Sequence, residues 1–130
     1  MKVSRSTGYG ILALGYIAKH SNEPIILSQN IAEQYNIPLE YLLKILQQLV
    51  RARILRSKRG PRGGFSLARP MKKVSMLEVI EAIEGPLVSN LDIAELAPKE
   101  KFGAKAEAVY VKAFEQAKAI FDKTKMSDIM

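Results

Sequence analysis

The chain contains no cysteine and a single histidine, His20. Disulfides, thiolate metal sites, cysteine nucleophiles and cysteine-held iron–sulfur clusters are therefore excluded, and one chain cannot supply a multi-histidine site. No apolar run approaches the roughly 20 residues that span a bilayer, and the amino terminus lacks the apolar stretch and small-residue cleavage site of a signal peptide. The expectation is a cytoplasmic protein with no membrane partner. No general acid and base stand at convincing spacing, and no nucleophile has a base beside it, so no enzyme and no cofactor are expected. Asp92 and Glu95 are the nearest approach to a metal pair, and two carboxylates on a short helix are read as solvent-facing. Acid is also scarce early in the chain. Residues 1–75 carry 13 Lys and Arg against Glu23, Glu33 and Glu40, whereas residues 76–130 carry seven bases against ten acids. The net charge of +7 thus resides in the first part, as expected of a basic module for a polyanion followed by a module for something else.

At 130 residues the chain can bury a real core as one domain with an appended element. Tyr9, Leu12, Ala13, Tyr16 and Ile17 recur at three- and four-residue steps and predict an amphipathic helix over residues 5–20, with His20 favourable at its negative end. Ser21 to Pro24 ends that helix, and Ile25 to Leu27 read as a short extended piece. Ser28 is the expected N-cap of a short second helix through Tyr35. Asn36-Ile37-Pro38 then forms a tight break, and proline is acceptable where a third helix starts. Over residues 38–52, Leu39, Leu42, Leu43, Leu46, Leu49 and Val50 make an apolar stripe. Glu40, Lys44, Gln47, Gln48 and Arg51 make the opposing polar one.

Next comes "SKRGPRGGFSLARP", residues 57–70. Gly60, Pro61, Gly63 and Gly64 describe a shaped turn between two short strands, with Ile54 and Leu55 before it and Phe65 and Leu67 after. Its tip carries Lys58, Arg59 and Arg62. A nucleotide-binding reading of the glycines fails, because no Gly-Lys-Ser/Thr follows and the turn leads into a strand. Ser75 to Glu78 is a capping box with Val74 and Val79 as its staple, opening a helix that stops at Gly85-Pro86. Residues 86–99 are apolar enough for a short helix. A longer helix is predicted from about Pro98 to Lys123, with Ala106, Val109, Ala113, Ala117 and Ile120 on one side and Phe102, Tyr110, Phe114 and Phe121 widening that stripe.

A short helix, a tight break and a polar-faced second helix make a helix-turn-helix, and the basic hairpin after it makes a winged one. The major groove of DNA admits such a helix, and arginine at a thin hairpin tip is drawn into the narrow minor groove of A·T-rich tracts. Glu40, facing DNA, would accept from cytosine N4. The expected architecture is mainly α with a small β-hairpin: a winged helix-turn-helix over residues 1–75 and a helical dimerisation and effector region over residues 76–130.

The segment "YNIPLEYLLKILQQLVRARILRSKRGPRGGFSLARP", followed by "VSMLEVIEAIEGPL", closely resembles the Rrf-two (Rrf2) family of bacterial winged-helix regulators. The "RGPRGGFSLARP" wing and the "EAIEGPL" helix end are the specific parts, and the match covers most of residues 1–87. "KTKMSDIM" looks like the family's closing short helix. The resemblance implies a homodimer on a palindromic operator, its long carboxy-terminal helices pairing the subunits. A repressor is expected because a protein covering a promoter blocks polymerase by simple occupancy. The resemblance places Glu40, Tyr41 and Lys44 in the major groove and Arg59 in the minor groove, with Ser28 and Gln29 over backbone phosphates. Gln48, Arg51, Lys58, Gly60 and Arg62 complete the expected DNA-binding set. Phe102, Ala106, Val109, Ala113, Ala117 and Ile120 form the expected dimer contact. Two departures stand out. Pro38 occupies a position often held by serine, and the three cysteines of cluster-binding members are absent between "EGPL" and the long helix. A cysteine-free member would be gated by a small molecule, by a partner protein, or by nothing. The competing reading is a protein-interaction module whose basic face docks an acidic partner or a metabolic enzyme.

Overall fold

The computed structural model describes residues 3–61, 63–88 and 91–130. Helix α1 runs over Arg5–Lys19, α2 over Ser28–Tyr35 and α3 over Leu39–Arg51. Strands β1 (Leu55–Lys58) and β2 (Gly64–Leu67) form an antiparallel hairpin with Leu55 opposite Leu67 and Lys58 opposite Gly64. Helix α4 spans Met76–Glu84, the one-turn α5 spans Ile93–Leu96 and the long α6 spans Lys101–Lys123, with single 3-10 turns at Met71–Lys73 and Met126–Ile129. The expected mainly helical fold with one hairpin is what forms.

Each break has a local cause. Asn36 takes the left-handed conformation (φ 53°) that asparagine tolerates, which turns the chain sharply between α2 and α3. Ser28 is the first residue of α2, not its cap; Leu27 holds the cap position and no side chain closes it. Helix α4 opens on the expected box: the Glu78 amide donates to Ser75 Oγ (3.1 Å) and the Ser75 amide to Glu78 Oε2 (2.9 Å). Val74 and Val79 are both fully buried beside it. The long helix begins at Lys101 and not at Pro98, because Pro98 and Lys99 lie in a turn closed by the Glu100 amide on the Ala97 carbonyl.

The core joins Ala13, Leu14 and Ile17 of α1 to Leu42, Ile45, Leu46 and Leu49 of α3, and to Ile54, Leu55 and Phe65 at the base of the hairpin. Ile45 belongs to this core although the stripe read from the sequence passed over it. Burial of each such leucine, isoleucine or phenylalanine is worth about 1.5–3 kcal/mol, which clamps α3 in place by one face only. Val79 and Ile83 of α4 and Met126 of the final turn close the same core. Met126 is held there by two backbone bonds: its amide donates to Val74 and the Met76 amide donates to Thr124, each at 2.8 Å. Among the described residues no helix is long and apolar enough to cross a membrane.

Candidate nucleic-acid interface

Helix α3 advances by about 100° per residue, so its side chains sort cleanly by direction. Glu40, Lys44, Gln47 and Arg51 fall within an arc of about 60° opposite the buried quartet. All four are exposed. Tyr41 and Gln48 lie about 70–90° to one side, toward α1 and α4. There the structure gives them other partners. The Gln48 amide nitrogen donates to the Ile83 carbonyl at 3.4 Å, which turns a candidate reader toward α4. Gln47, read from the sequence only as part of the polar stripe, takes the outer position instead. The Tyr41 hydroxyl hydrogen-bonds the Ser6 hydroxyl, and its ring stands edge-on to Tyr9 with centroids 5.7 Å apart, so Tyr41 is fastened to α1 while 43% exposed.

The other flank of α3 carries the wing. Ile26, just before α2, pairs with Phe65 of β2 through two backbone bonds of 2.8 Å. This third extended segment ties the start of α2 to the hairpin. It thereby creates a groove of about 440 Å³ in which Ser28 and Gln29 face Leu39 and Gln47 on one side and Lys58, Arg59 and Gly60 on the other. Gly60 has φ 101°, a conformation closed to L side chains, and it bends the tip immediately after Arg59. The expected Arg62 lies outside the described residues. Lys44, Arg51, Lys58 and Arg59 are exposed, and among the described residues no acid pairs with them. Unpaired cations on an open groove attract a polyanion without first breaking an internal ion pair. Of the expected DNA-binding residues, Ser28, Gln29, Lys58, Arg59 and Gly60 line this groove; Glu40, Lys44 and Arg51 are exposed along α3, while Tyr41 and Gln48 turn to α1 and α4.

One ion pair is present among the described residues, and it lies behind the wing. Arg69 Nη2 donates to Glu78 Oε1 at 2.9 Å. Partial burial would raise the Glu78 carboxyl, but the Ser75 amide, Arg69 and the charge of Lys125 outweigh it and hold the group below its ordinary value.

Helix α6 shows two apolar faces about 90° apart. Gly103, Tyr110, Phe114 and Phe121 face inward, where Glu107 also accepts the Ala94 amide at 2.7 Å. The expected contact residues Phe102 (65% exposed), Val109 (70%) and Ile120 (64%) face outward, with Ala106 and Ala113 exposed beside them and Ala117 half-buried. The single broad stripe expected from the sequence is thus two stripes, one already used within the chain.

The profile of the family described as "Iron-dependent Transcriptional regulator", Rrf2, matches residues 3–130. The chain belongs to the Rrf2 family. A Cereibacter sphaeroides relative, the HTH-type transcriptional regulator IscR, is 30% identical over 137 residues, covering 100% of this chain and 87% of that one. A Mycobacterium tuberculosis protein named as an HTH-type transcriptional regulator is 34% identical over 93 residues. That alignment takes in 72% of this chain but only 58% of the relative's length. The Bacillus subtilis cysteine regulator CymR superposes with a TM-score of 0.80 at 26% identity, covering 99% of this chain and 95% of that one. T. potens IscR superposes at 0.74 with 25% identity, over 99% and 85%. This Rrf2 chain accordingly has the winged-helix fold of a family of transcriptional regulators, not of enzymes. The iron in the family's description finds no fit here. The Rrf2 chain has no cysteine, and among its described residues no three His, Asp or Glu side chains converge on a point.

Proposed function

We propose that the protein is a homodimeric, sequence-specific DNA-binding regulator that represses by occupying a palindromic operator. One observation carries the reading: Gln47 of the outer arc of α3 and the cationic wing tip line one open groove, and among the described residues no acid pairs with Lys44, Arg51, Lys58 or Arg59. In this reading α3 enters the major groove and presents Glu40, Lys44 and Gln47 to base edges, while Arg51 holds phosphate. The wing, residues 57–66, enters the adjacent minor groove led by Arg59 with Lys58 beside it, and Arg62 adds a further positive charge to the segment. Ser28 and Gln29 sit over phosphates at the positive end of α2.

Residues 1–75 then form the DNA-facing half and residues 76–130 the dimerisation and effector half, the two sharing one core. A second copy is the occupant that suits the outer stripe of α6. Its alanines permit close helix approach, and its exposed Phe102, Val109 and Ile120 are too large and too aligned for a solvated face. A twofold axis through that contact presents two equal wings to a twofold-symmetric site. The place of action is the cytoplasm, where the chromosome lies.

The test is selection of bound fragments from genomic DNA, followed by titration of the selected operator against salt. Several phosphate contacts per subunit predict a log–log slope near −0.9 per contact. Arg59→Ala should lower affinity and relax preference at A·T positions flanking the half-site, and Lys44→Ala should alter preference nearer its centre. A flat salt response, or no enriched motif, would overturn the reading.

A further inference from the structure

Three arginines outside the proposed DNA surface converge at the base of the wing. Arg53 follows α3, Arg56 lies on β1 and Arg69 follows β2. With Val50, Leu55 and Ala68 they line a cleft of about 360 Å³ that has an apolar floor and a cationic rim. Two details mark the cleft as more than a solvated patch. The first is Arg69 Nε, a buried donor with no acceptor among the described residues, while the same guanidinium spends Nη2 on Glu78. A buried N–H left without a partner is costly, and because Nε is closed to solvent here, an acceptor would recover that cost only once the guanidinium leaves Glu78.

The second is Arg53, which stands at φ 61° where a helix end favours glycine or asparagine. The Arg53 amide donates to the Val50 carbonyl and the Ile54 amide to the Leu49 carbonyl, so glycine would satisfy the same turn without strain. A strained backbone that keeps an arginine argues for use of its side chain. Those two bonds, with the Ala52 amide on the Gln48 carbonyl, take up the Gln48, Leu49 and Val50 carbonyls and so weaken the repulsion that this end of α3 offers an anion. No acid pairs with Arg53 or Arg56 among the described residues.

We propose that Arg53, Arg56 and Arg69 form a pocket for a small phosphate monoester with an apolar body. Its occupation draws Arg69 off Glu78. Guanidinium forks match phosphate oxygens in pairs, and the floor of Val50, Leu55 and Ala68 takes the organic part. Because Glu78 belongs to the capping box of α4, the ligand would loosen a tie between the trailing strand of the wing and the helix that leads toward the dimerisation region.

The full chain, labelled with ¹⁵N, is titrated with phenyl phosphate, ionic strength being held constant with sodium chloride. The Nε–Hε resonance of Arg69 is followed. A saturating shift is expected. Arg56→Gln, an exposed position that leaves the fold intact, should weaken binding about tenfold. Glu78→Gln keeps the cap and removes a competitor for Arg69, so it should tighten binding about two- to fivefold. A shift that rises linearly without saturating, or an affinity indifferent to both variants, would overturn the proposal. A duplex phosphate is the other source of the same chemistry. If phenyl phosphate never saturates while Arg53→Gln and Arg56→Gln reduce the salt slope of operator binding, these arginines are backbone contacts and the small-ligand pocket is refuted.

Discussion

Gly64 approaches Ile26 so closely that a Cβ on the glycine would stand 2.4 Å from the Ile26 carbonyl oxygen. That approach is what lets the segment before α2 pair with β2, and the pairing fixes the wing against the groove. Gly64→Ala must therefore push backbone from backbone, not merely turn a side chain. A loss of about 1–3 kcal/mol of stability is expected, together with a loss of operator affinity exceeding that of any single wing-tip cation. Chemical denaturation and a binding titration on the same preparation check both.

Adjacent glutamines on α3 should behave differently. Gln47→Ala removes a groove-lining amide and should cost about 1 kcal/mol or more of specific binding with little effect on folding. Gln48→Ala removes a long bond to the Ile83 carbonyl and should cost under about 1 kcal/mol of stability while leaving operator affinity within about twofold. Equal binding losses would show that Gln48 leaves α4 when DNA arrives.

Glu78 makes stability depend on pH. Its carboxyl is held below the ordinary 4.5 in the folded chain, so the folded state binds fewer protons there than the unfolded one. The contribution is fully present above pH 4.5 and is lost as pH falls through the lower, folded value. The stability gap between wild type and Glu78→Gln should be widest near neutrality and should narrow with acid below that point. A gap that stays constant down to strong acid would contradict the ion-pair geometry.

The outer stripe of α6 should govern association without governing folding. Val109→Asp places a charge on a residue 70% exposed in the single chain, so the thermal stability of the monomer should barely move. The dimer dissociation constant should rise at least about tenfold, read by sedimentation at micromolar concentration. A wild-type chain that sediments only as a monomer would remove the basis for this contact.

Arg53→Gly should stabilise the fold by about 1 kcal/mol, because glycine adopts the left-handed turn without a Cβ penalty. For a domain of this size that is a rise of a few degrees in Tm. The same variant should bind phenyl phosphate more weakly. A stabilised protein with undiminished anion binding would assign the arginine to neither role.

How much was legible in advance follows from the range of each interaction. The helices, the capping box at Ser75, the hairpin and the polar face of α3 rest on contacts between residues a few positions apart, and periodicity and turn chemistry report those directly. Ser28 suits a cap by residue type, but α2 begins one residue earlier, with Leu27 in the cap position. Gln48 groups with the outer face by its polarity alone, since an offset of eight residues from Glu40 leaves it well off that direction. The residual rotation of about 80° is enough to meet Ile83, 35 positions away in sequence.

The amino-acid sequence by itself determined a cysteine-free, basic winged helix followed by a long helix with one broad apolar stripe. Local propensity, glycine placement and charge suffice for that. Only the tertiary structure decided which side of α3 stays open and which stripe of α6 remains bare. It also decided that Ile26 braces the wing and that Arg53, Arg56 and Arg69 share one cleft. Those outcomes depend on segments far apart in the chain arriving at the same place, and their meeting is set by the packing of the whole core, which no local pattern encodes.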